Sequence, residues 1–471
     1  MLNYVFYTVN LLRSSTHLHP MRLCMLLCVL LLCSAGLQVR VLAGEPEKVF
    51  IINEGAFGQG NASMTVFYPG SRSVKQNVFY HTTGRFLGDV ANDALFIENK
   101  LYIVVNNSHK IEIVDPENYG SLGTIFIDDE AHGASPRRML ALSDTKAYVS
   151  NLFGDNISVL DLENHTEVST IDLGIGAGPE GMVQSAGNVF VALSGLGHGN
   201  EVAVIDPETD TVVERLQVGD NPIHLAVDHQ GYVWVVVTGN FGFAPDFSFD
   251  PDLETFGKLV IIDPQTLHIV DEIETGGHPG KLVFWNESQA LLQHEGLYLV
   301  DVPGRRLEQT PWLARKVHDF SIYSGQVEAV VYASYAPDFA SSGRLVRYNQ
   351  QAVALDSITA GIGPGRITFP PAVPTGSQMA EQVVGSFDVQ QNYPNPFNPA
   401  TTIPFEISAG GHVRMEIFDL LGRKLAVPVN GSLPAGSHRI RIDASNWPAG
   451  VYIYRLQHGG YTSQRSMTLL P

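Results

Sequence analysis

Between residues 47 and 369 the apolar residues come in short runs rich in Val, Ile, Leu, Tyr and Phe, each closed by Gly, Asn, Asp or Pro. Runs of that length and composition predict strands separated by turns. One unit recurs: a β-rich run, a Gly/Asn loop, a second run ending in Asp-Pro or its equivalent, and a third run closing on Gly-x-x-Pro. The clearest copy occupies 188–219, others stand at 101–116, 147–161 and 233–264, and degenerate copies at 49–67, 290–302 and 329–348. The turn aspartates Asp115, Asp161, Asp206, Asp263 and Asp301 are 46, 45, 57 and 38 residues apart. In Val202-Ala-Val-Ile205 the two valines fall on one face, and this alternation predicts a half-buried sheet. Asp-Pro-Glu-Thr and Asp-Pro-Gln-Thr predict turns in which the aspartate accepts from its own backbone and proline presets φ. Four strands per ~45 residues with no helical period between them predict propeller blades; a βαβ fold would need amphipathic helices. The expectation is an all-β chain: a seven-bladed β-propeller followed by a small C-terminal Ig-like β-sandwich.

The ends carry different signals. Arg22 precedes the apolar run 23–32, then Ser34-Ala-Gly36 and Val41-Leu-Ala43. A basic start, a short apolar core and a small-residue cleavage site predict a signal peptide over 1–43, with Met21 expected as the true start. Cys24, Cys28 and Cys33 are the only cysteines, so the chain after residue 43 forms neither a disulfide nor a thiolate metal site. The propeller is expected over 44–369 and a Pro/Gly/Ser linker over 370–390. From 391 to 471 alternating strands and Gly/Pro turns predict the sandwich. Residues 44–390 hold 19 basic against 44 acidic residues, whereas 391–471 hold 7 against 4, which predicts two separate bodies. So acidic a body repels phosphate backbones, and no nucleic-acid partner is expected.

Loop length distinguishes the two faces of the propeller. The loops 55–63, 151–156, 194–199 and 238–256 all emerge on one face, and the last explains the 57-residue spacing. This face is expected to bind a ligand through Phe57, Phe153, Phe241, Phe243, Phe247 and, two blades on, Tyr335. The links that open each innermost strand add polar groups, with Arg137, Glu180, His224, Lys281 and Arg366 expected at the channel mouth. Asp246, Asp250, Asp252 and Glu254 lack the spacing and glycine of a calcium loop, and His132, His198, His224 and His278 lack a fixed ligand spacing. No metal, cofactor or catalytic set is therefore expected, and the protein is read as a non-enzyme.

Val49-Phe-Ile-Ile-Asn-Glu-Gly55, Leu101-Tyr-Ile-Val-Val-Asn-Asn-Ser108, Ala147-Tyr-Val-Ser-Asn151 and Gly178-Pro-Glu-Gly-Met182 resemble the YVTN-type (YncE-like) propellers of Bacteroidetes. The resemblance is greatest to surface propellers that capture cobalamin beside an outer-membrane transporter. It implies a corrinoid or similarly bulky polar small molecule as ligand and such a transporter as partner. Those propellers are lipoproteins, whereas Leu30-Leu-Leu32 before Cys33 does not suit lipidation, so cleaved export is expected. Gln391-Asn-Tyr-Pro-Asn-Pro-Phe-Asn-Pro399, Val413-Arg-Met-Glu-Ile-Phe-Asp-Leu-Leu-Gly-Arg423 and Gly450-Val-Tyr-Ile-Tyr-Arg-Leu456 resemble the type IX secretion sorting domain. That implies recognition by the type IX machinery and attachment at the cell surface. The alternatives are a metal-dependent lactonase or lyase, and a protein-interaction scaffold or adhesin.

Overall fold

The computed structural model describes residues 45–471 except 128–132, 247, 325–328, 372–387, 390, 408–410, 420–422, 435, 459–460 and 471. The expected signal peptide and most of the expected linker thus lie outside the described residues. The chain divides into two compact units at 372/373.

The first unit is a β-propeller. Among the described residues it contains seven four-stranded antiparallel sheets, five of them of consecutive strands; a sixth is interrupted between Val233–Val237 and Lys258–Asp263 by a two-stranded insertion. The seventh joins the two ends of the unit: Val49–Asn53 pairs on one side with Ser63–Tyr68 and on the other with Pro364–Thr368. The innermost strands are Ala91–Ile97, Pro136–Ala141, Pro179–Ser185, Pro222–Val227, Leu282–Phe284, Phe320–Ser324 and Pro364–Thr368. Each touches the next and the last touches the first, so they form a closed ring around a channel. The one described α-helix, Val78–Thr83, lies between the first and second sheets.

Half-burial of the strands is corrected by the packing. Val202, Ala203, Val204 and Ile205 are all fully buried. Alternation sends Ala203 and Ile205 into the core shared with the preceding sheet, and Val202 and Val204 into the core shared with the following one. Sheets stacked face to face bury both sides of their middle strands, and period 2 then decides which core a residue joins. The outermost strands, such as Thr211–Gln217, are mostly exposed or half-buried.

Polar groups at the ends of the second strands tie neighbouring sheets together. Asn106 Nδ2 donates to the Pro136 carbonyl at 2.9 Å, Ser150 Oγ to Glu180 O at 2.7 Å, and Thr238 Oγ1 to Pro279 O at 2.8 Å. Each acceptor lies at or near the start of the next innermost strand, so the Asn/Ser/Thr at the end of a Val-rich run orients the link to that strand.

The turn aspartates cap their own turns. Asp115 accepts from Glu117 N at 2.7 Å, Asp161 from Glu163 N at 2.9 Å, Asp206 from Glu208 N at 2.9 Å, Asp263 from Gln265 N at 2.8 Å and Asp301 from Gly304 N at 3.1 Å. Backbone N–H donors, chiefly those of Asn164, Glu208 and Gln265, hold the carboxyls of Asp161, Asp206 and Asp263 below their ordinary range. A folded value below the unfolded one of about 3.9 adds stability that is present above that pH and lost as pH falls through the folded value. Replacing all three by Ala is expected to lower stability at pH 7 and to flatten its loss below pH ~4, read by denaturant melts across pH.

The second unit contains two sheets. One orders Asp388–Val389, Ala400–Ile407 and Gly436–Asp443; the other orders Lys424–Leu433, Gly411–Asp419, Gly450–His458 and Tyr461–Leu469. They share one core, with Ile403 and Phe405 from the first and Met415, Ile417, Tyr454 and Leu456 from the second. Phe397 of the Asn-Pro-Phe-Asn-Pro stretch is buried in it, and Asn392 Nδ2 donates to Thr401 Oγ1 at 2.9 Å.

Candidate functional site

Proline opens four of the innermost strands, a position at which its missing donor is tolerated. Register slips follow at once: between Ala91 and Asp93, Pro136 and Met139, Pro179 and Met182, Pro222 and His224, and opposite Ile52/Asn53 at Gly365. Bulges at such rims re-aim side chains out of the ladder. The slipped residues Asn92, Arg137, Arg138, Glu180, Gly181, Ile223 and Gly365 all line a cavity of about 600 Å³ at the long-loop end of the channel. Gly181 is required by close approach, since a Cβ there would lie 2.9 Å from the Ile223 carbonyl and 3.1 Å from His224 Cα.

Charges on the cavity wall are paired. Arg137 Nε donates to both carboxylate oxygens of Glu180 at 3.2 and 3.1 Å. Arg366 lies 3.1 Å and Arg138 3.8 Å from Asp93 Oδ1. Lys281 Nζ lies 2.7 Å from Asp319 Oδ1, and His318 Nε2 lies 3.3 Å from Glu54 Oε1. Burial, then the Lys281 charge, pushes the His224 imidazole down to about 3, so it stays neutral and its Nε2–H donates to Leu282 O at 3.0 Å. Burial also pulls the Lys281 ammonium down to about 8 against the attraction of Asp319. Asp319 is raised by burial but held low overall by Lys281 and Arg366. For His318, burial favours the neutral ring, yet the hydrogen bond and charge of Glu54 outweigh it and raise the pKa. Both polar atoms of the buried Asn92 amide and Oδ2 of Asp319 have no hydrogen-bond partner. The wall is thus near-neutral, within a unit that is strongly acidic.

The long 238–257 segment is a β-hairpin, Phe241–Phe243 against Phe249–Glu254, rather than an irregular loop. Its base is fixed. Gly239 sits at φ 81°, where a Cβ would lie 2.2 Å from Thr255 O. Asn240 Oδ1 accepts from Gly242 N and Phe243 N, and Thr255 Oγ1 donates to Asp220 at 2.9 Å. Phe241 stacks on His278 with ring centroids 4.0 Å apart, and His278 Nε2 lies 3.2 Å from Glu254. Phe243 packs edge-on against Phe249 at 5.6 Å, and Phe241, Phe243, Phe249 and Phe256 all remain exposed. Asp246 and Asp250 accept from Ser248 N and Asp252 N. Among the described residues no three His, Cys, Asp or Glu side chains converge as a metal-holding group.

Of the residues expected at the site, Arg137, Glu180, His224, Phe241, Lys281 and Arg366 line the cavity. Phe57, Phe153 and Phe243 are exposed on the same face without lining it. Phe247 and His132 lie outside the described residues. Tyr335 is corrected: it ends the buried strand Ala329–Tyr335, its ring belongs to the core and its hydroxyl meets that of Tyr348 at 2.7 Å. Phe339, four residues on, is the exposed aromatic there, 5.5 Å from the His318 ring. Glu54, Asn92, Asp93, His318 and Asp319 line the cavity without having been expected. The pairing of Glu54 with His318 spans 264 residues, and only closure of the ring brings them together.

Residues 47–273 match a family model described as a domain of unknown function (DUF5074). Residues 391–469 match that of the secretion system C-terminal sorting domain. The tail is a sorting domain. It marks the chain for secretion and attachment at the cell surface, as in Bacteroidetes, through the type IX machinery. No helix among the described residues is long and apolar enough to cross a membrane. No curated protein matches the chain. Similar solved structures include a quinonprotein alcohol dehydrogenase-like protein from Bacteroides thetaiotaomicron VPI-5482, at 15% identity and TM-score 0.49, covering 69% of this chain and 78% of that one. Virginiamycin B lyase from Staphylococcus aureus is 9% identical with TM-score 0.44, covering 69% and 98%. AztD from Citrobacter koseri is 10% identical with TM-score 0.43, covering 68% and 96%.

Proposed function

We propose that this is a seven-bladed, YVTN-type surface propeller, with an Ig-like sorting tail, that captures a bulky polar small molecule at its channel mouth without transforming it. A corrinoid such as cobalamin is the first candidate, for delivery to an outer-membrane transporter. The observation that carries the reading is the cavity of about 600 Å³, lined by the bulged starts of the innermost strands and flanked by an exposed aromatic hairpin. Its volume falls within the range of small-molecule sites, and paired charges with the unpartnered Asn92 amide suit a ligand rich in hydrogen-bonding groups. Titration of the full chain with cyanocobalamin and cobinamide, read by heat and by absorbance, is expected to give saturable one-to-one binding. No heat and no spectral shift with any corrinoid removes the corrinoid assignment.

One observation favours an enzyme instead. A histidine held beside a carboxylate with a raised pKa, as His318 is beside Glu54, is an arrangement used for general acid–base work. Turnover of a bound ligand that disappears in His318→Gln, with binding retained, would favour that reading over capture.

A further inference from the structure

On the strand Gly411–Asp419 of the tail, Met415 and Ile417 point into the core. Glu416 between them therefore projects from the opposite face of the four-stranded sheet. Three cations converge on it. Arg455, directly across in register, places Nη2 2.7 Å from Oε2. Arg414 Nη2 lies 3.0 Å and Lys424 Nζ 2.7 Å from Oε1. Glu416 is 2% exposed, whereas the side chains of Arg414, Lys424 and Arg455 are 42%, 46% and 38% exposed. Burial pushes the Glu416 carboxyl up, but the hydrogen bonds from Arg455 and Lys424 and the Arg414 charge outweigh it, so the group stays ionised. The neighbouring Arg423 is neutralised by Asp419 at 2.8 Å.

One cation neutralises one carboxylate, and the second and third repel the first and each other. The buried carboxylate needs one cation to offset its desolvation. Each cation is itself 38–46% exposed, however. Pairs with exposed cations beyond the first add only about 0–1 kcal/mol each, so stability does not account for three. The cluster leaves a surplus of two positive charges on an exposed sheet face. That surplus sits in a chain whose residues 44–390 carry 19 basic against 44 acidic residues. A negatively charged receptor attracts this face and repels the acidic remainder of this chain.

We propose that the face formed by Arg414, Lys424 and Arg455 is the surface by which the type IX secretion machinery selects this tail, and that the matching surface of the machinery is an acidic protein surface. This rests on the sorting-domain match and is independent of ligand capture by the propeller. With charges screened over about 8 Å at physiological salt, recognition depends on this local face and not on the net charge of the tail.

The test is secretion of the full chain from a bacterium that carries a type IX system. Arg414→Gln/Lys424→Gln removes the surplus and leaves Arg455 to neutralise Glu416. The control, Arg439→Gln/Arg441→Gln, makes the same change in net charge at exposed positions on the other sheet. The first variant is expected to lower the surface-exposed fraction at least tenfold with accumulation inside the cell, the control to stay within twofold of wild type. The charge-conserving swap Arg414→Lys/Lys424→Arg is expected to be secreted normally. Wild-type secretion of the first variant, or equal loss in variant and control, overturns the proposal. If melting of the purified full chain shows that the double variant unfolds the tail, Arg414→Gln and Lys424→Gln are scored singly. Partial loss in each then supports the proposal, and wild-type secretion of both overturns it.

Discussion

Replacing Gly242–Glu254 with a Gly-Ser turn is expected to leave the propeller folded and exported while weakening ligand binding more than tenfold, or more than ~1.4 kcal/mol. The hairpin is joined to the fifth sheet through Gly239, Asn240, Thr255 and Gly257, all of which the change retains. Two of its described rings stand outside the cores: Phe243 and Phe249 pack on each other, and both are exposed. An ordered hairpin of two strands is marginal alone, so its rings are free to gain area against a ligand, worth ~1–3 kcal/mol each. Phe241 and its stacked partner His278 remain in the variant, so binding is reduced and not abolished. Unchanged affinity in a folded variant would show that the hairpin serves only its own sheet. Loss of folding, read by thermal melting, would place the rings in the core.

Lys281→Met alone is expected to destabilise the protein by about 3 kcal/mol, because it leaves the buried Asp319 carboxylate without its partner. The double variant Lys281→Met/Asp319→Leu is expected to recover to within about 1 kcal/mol of wild type, since removing both charges also removes both desolvation costs. The pH dependence gives an independent check. Lys281 titrates at about 8 in the folded protein and near 10.4 when unfolded. Between those values the unfolded chain holds more protons, so stability rises with pH across that window, and the Met variant is expected to lose the rise. Denaturant melts from pH 7 to 10 measure both effects. Equal stability of wild type and the single variant would mean that the pair is not buried as described.

The repeat was legible because each strand end carries a chemical mark. Asp115, Asp161, Asp206, Asp263 and Asp301 cap their turns as expected. Burial was misread at 202–205 because alternation separates two faces but does not say whether the second face is covered. Arg137, Glu180, His224, Lys281 and Arg366 stood out because Pro or Gly-x-x-Pro precedes them, and these links are what the cavity is built from. Asn92 and Asp93 follow Val90-Ala91, with no proline to mark the bulge, and Glu54 and His318 are joined only by closure of the ring. Tyr335 was misplaced because the strand Ala329–Tyr335 runs to the edge of its loop. The Glu416 cluster has a different origin. Arg455 reaches it by cross-strand register, which a local pattern does not reveal.

Crystals of the protein grown with cyanocobalamin test capture at the mouth most directly. The expected result is ligand density inside the channel mouth, in contact with Phe241 and within hydrogen-bonding distance of Arg137, Lys281 or Arg366. Ligand density on the opposite face, or an empty mouth at saturating ligand, would contradict it.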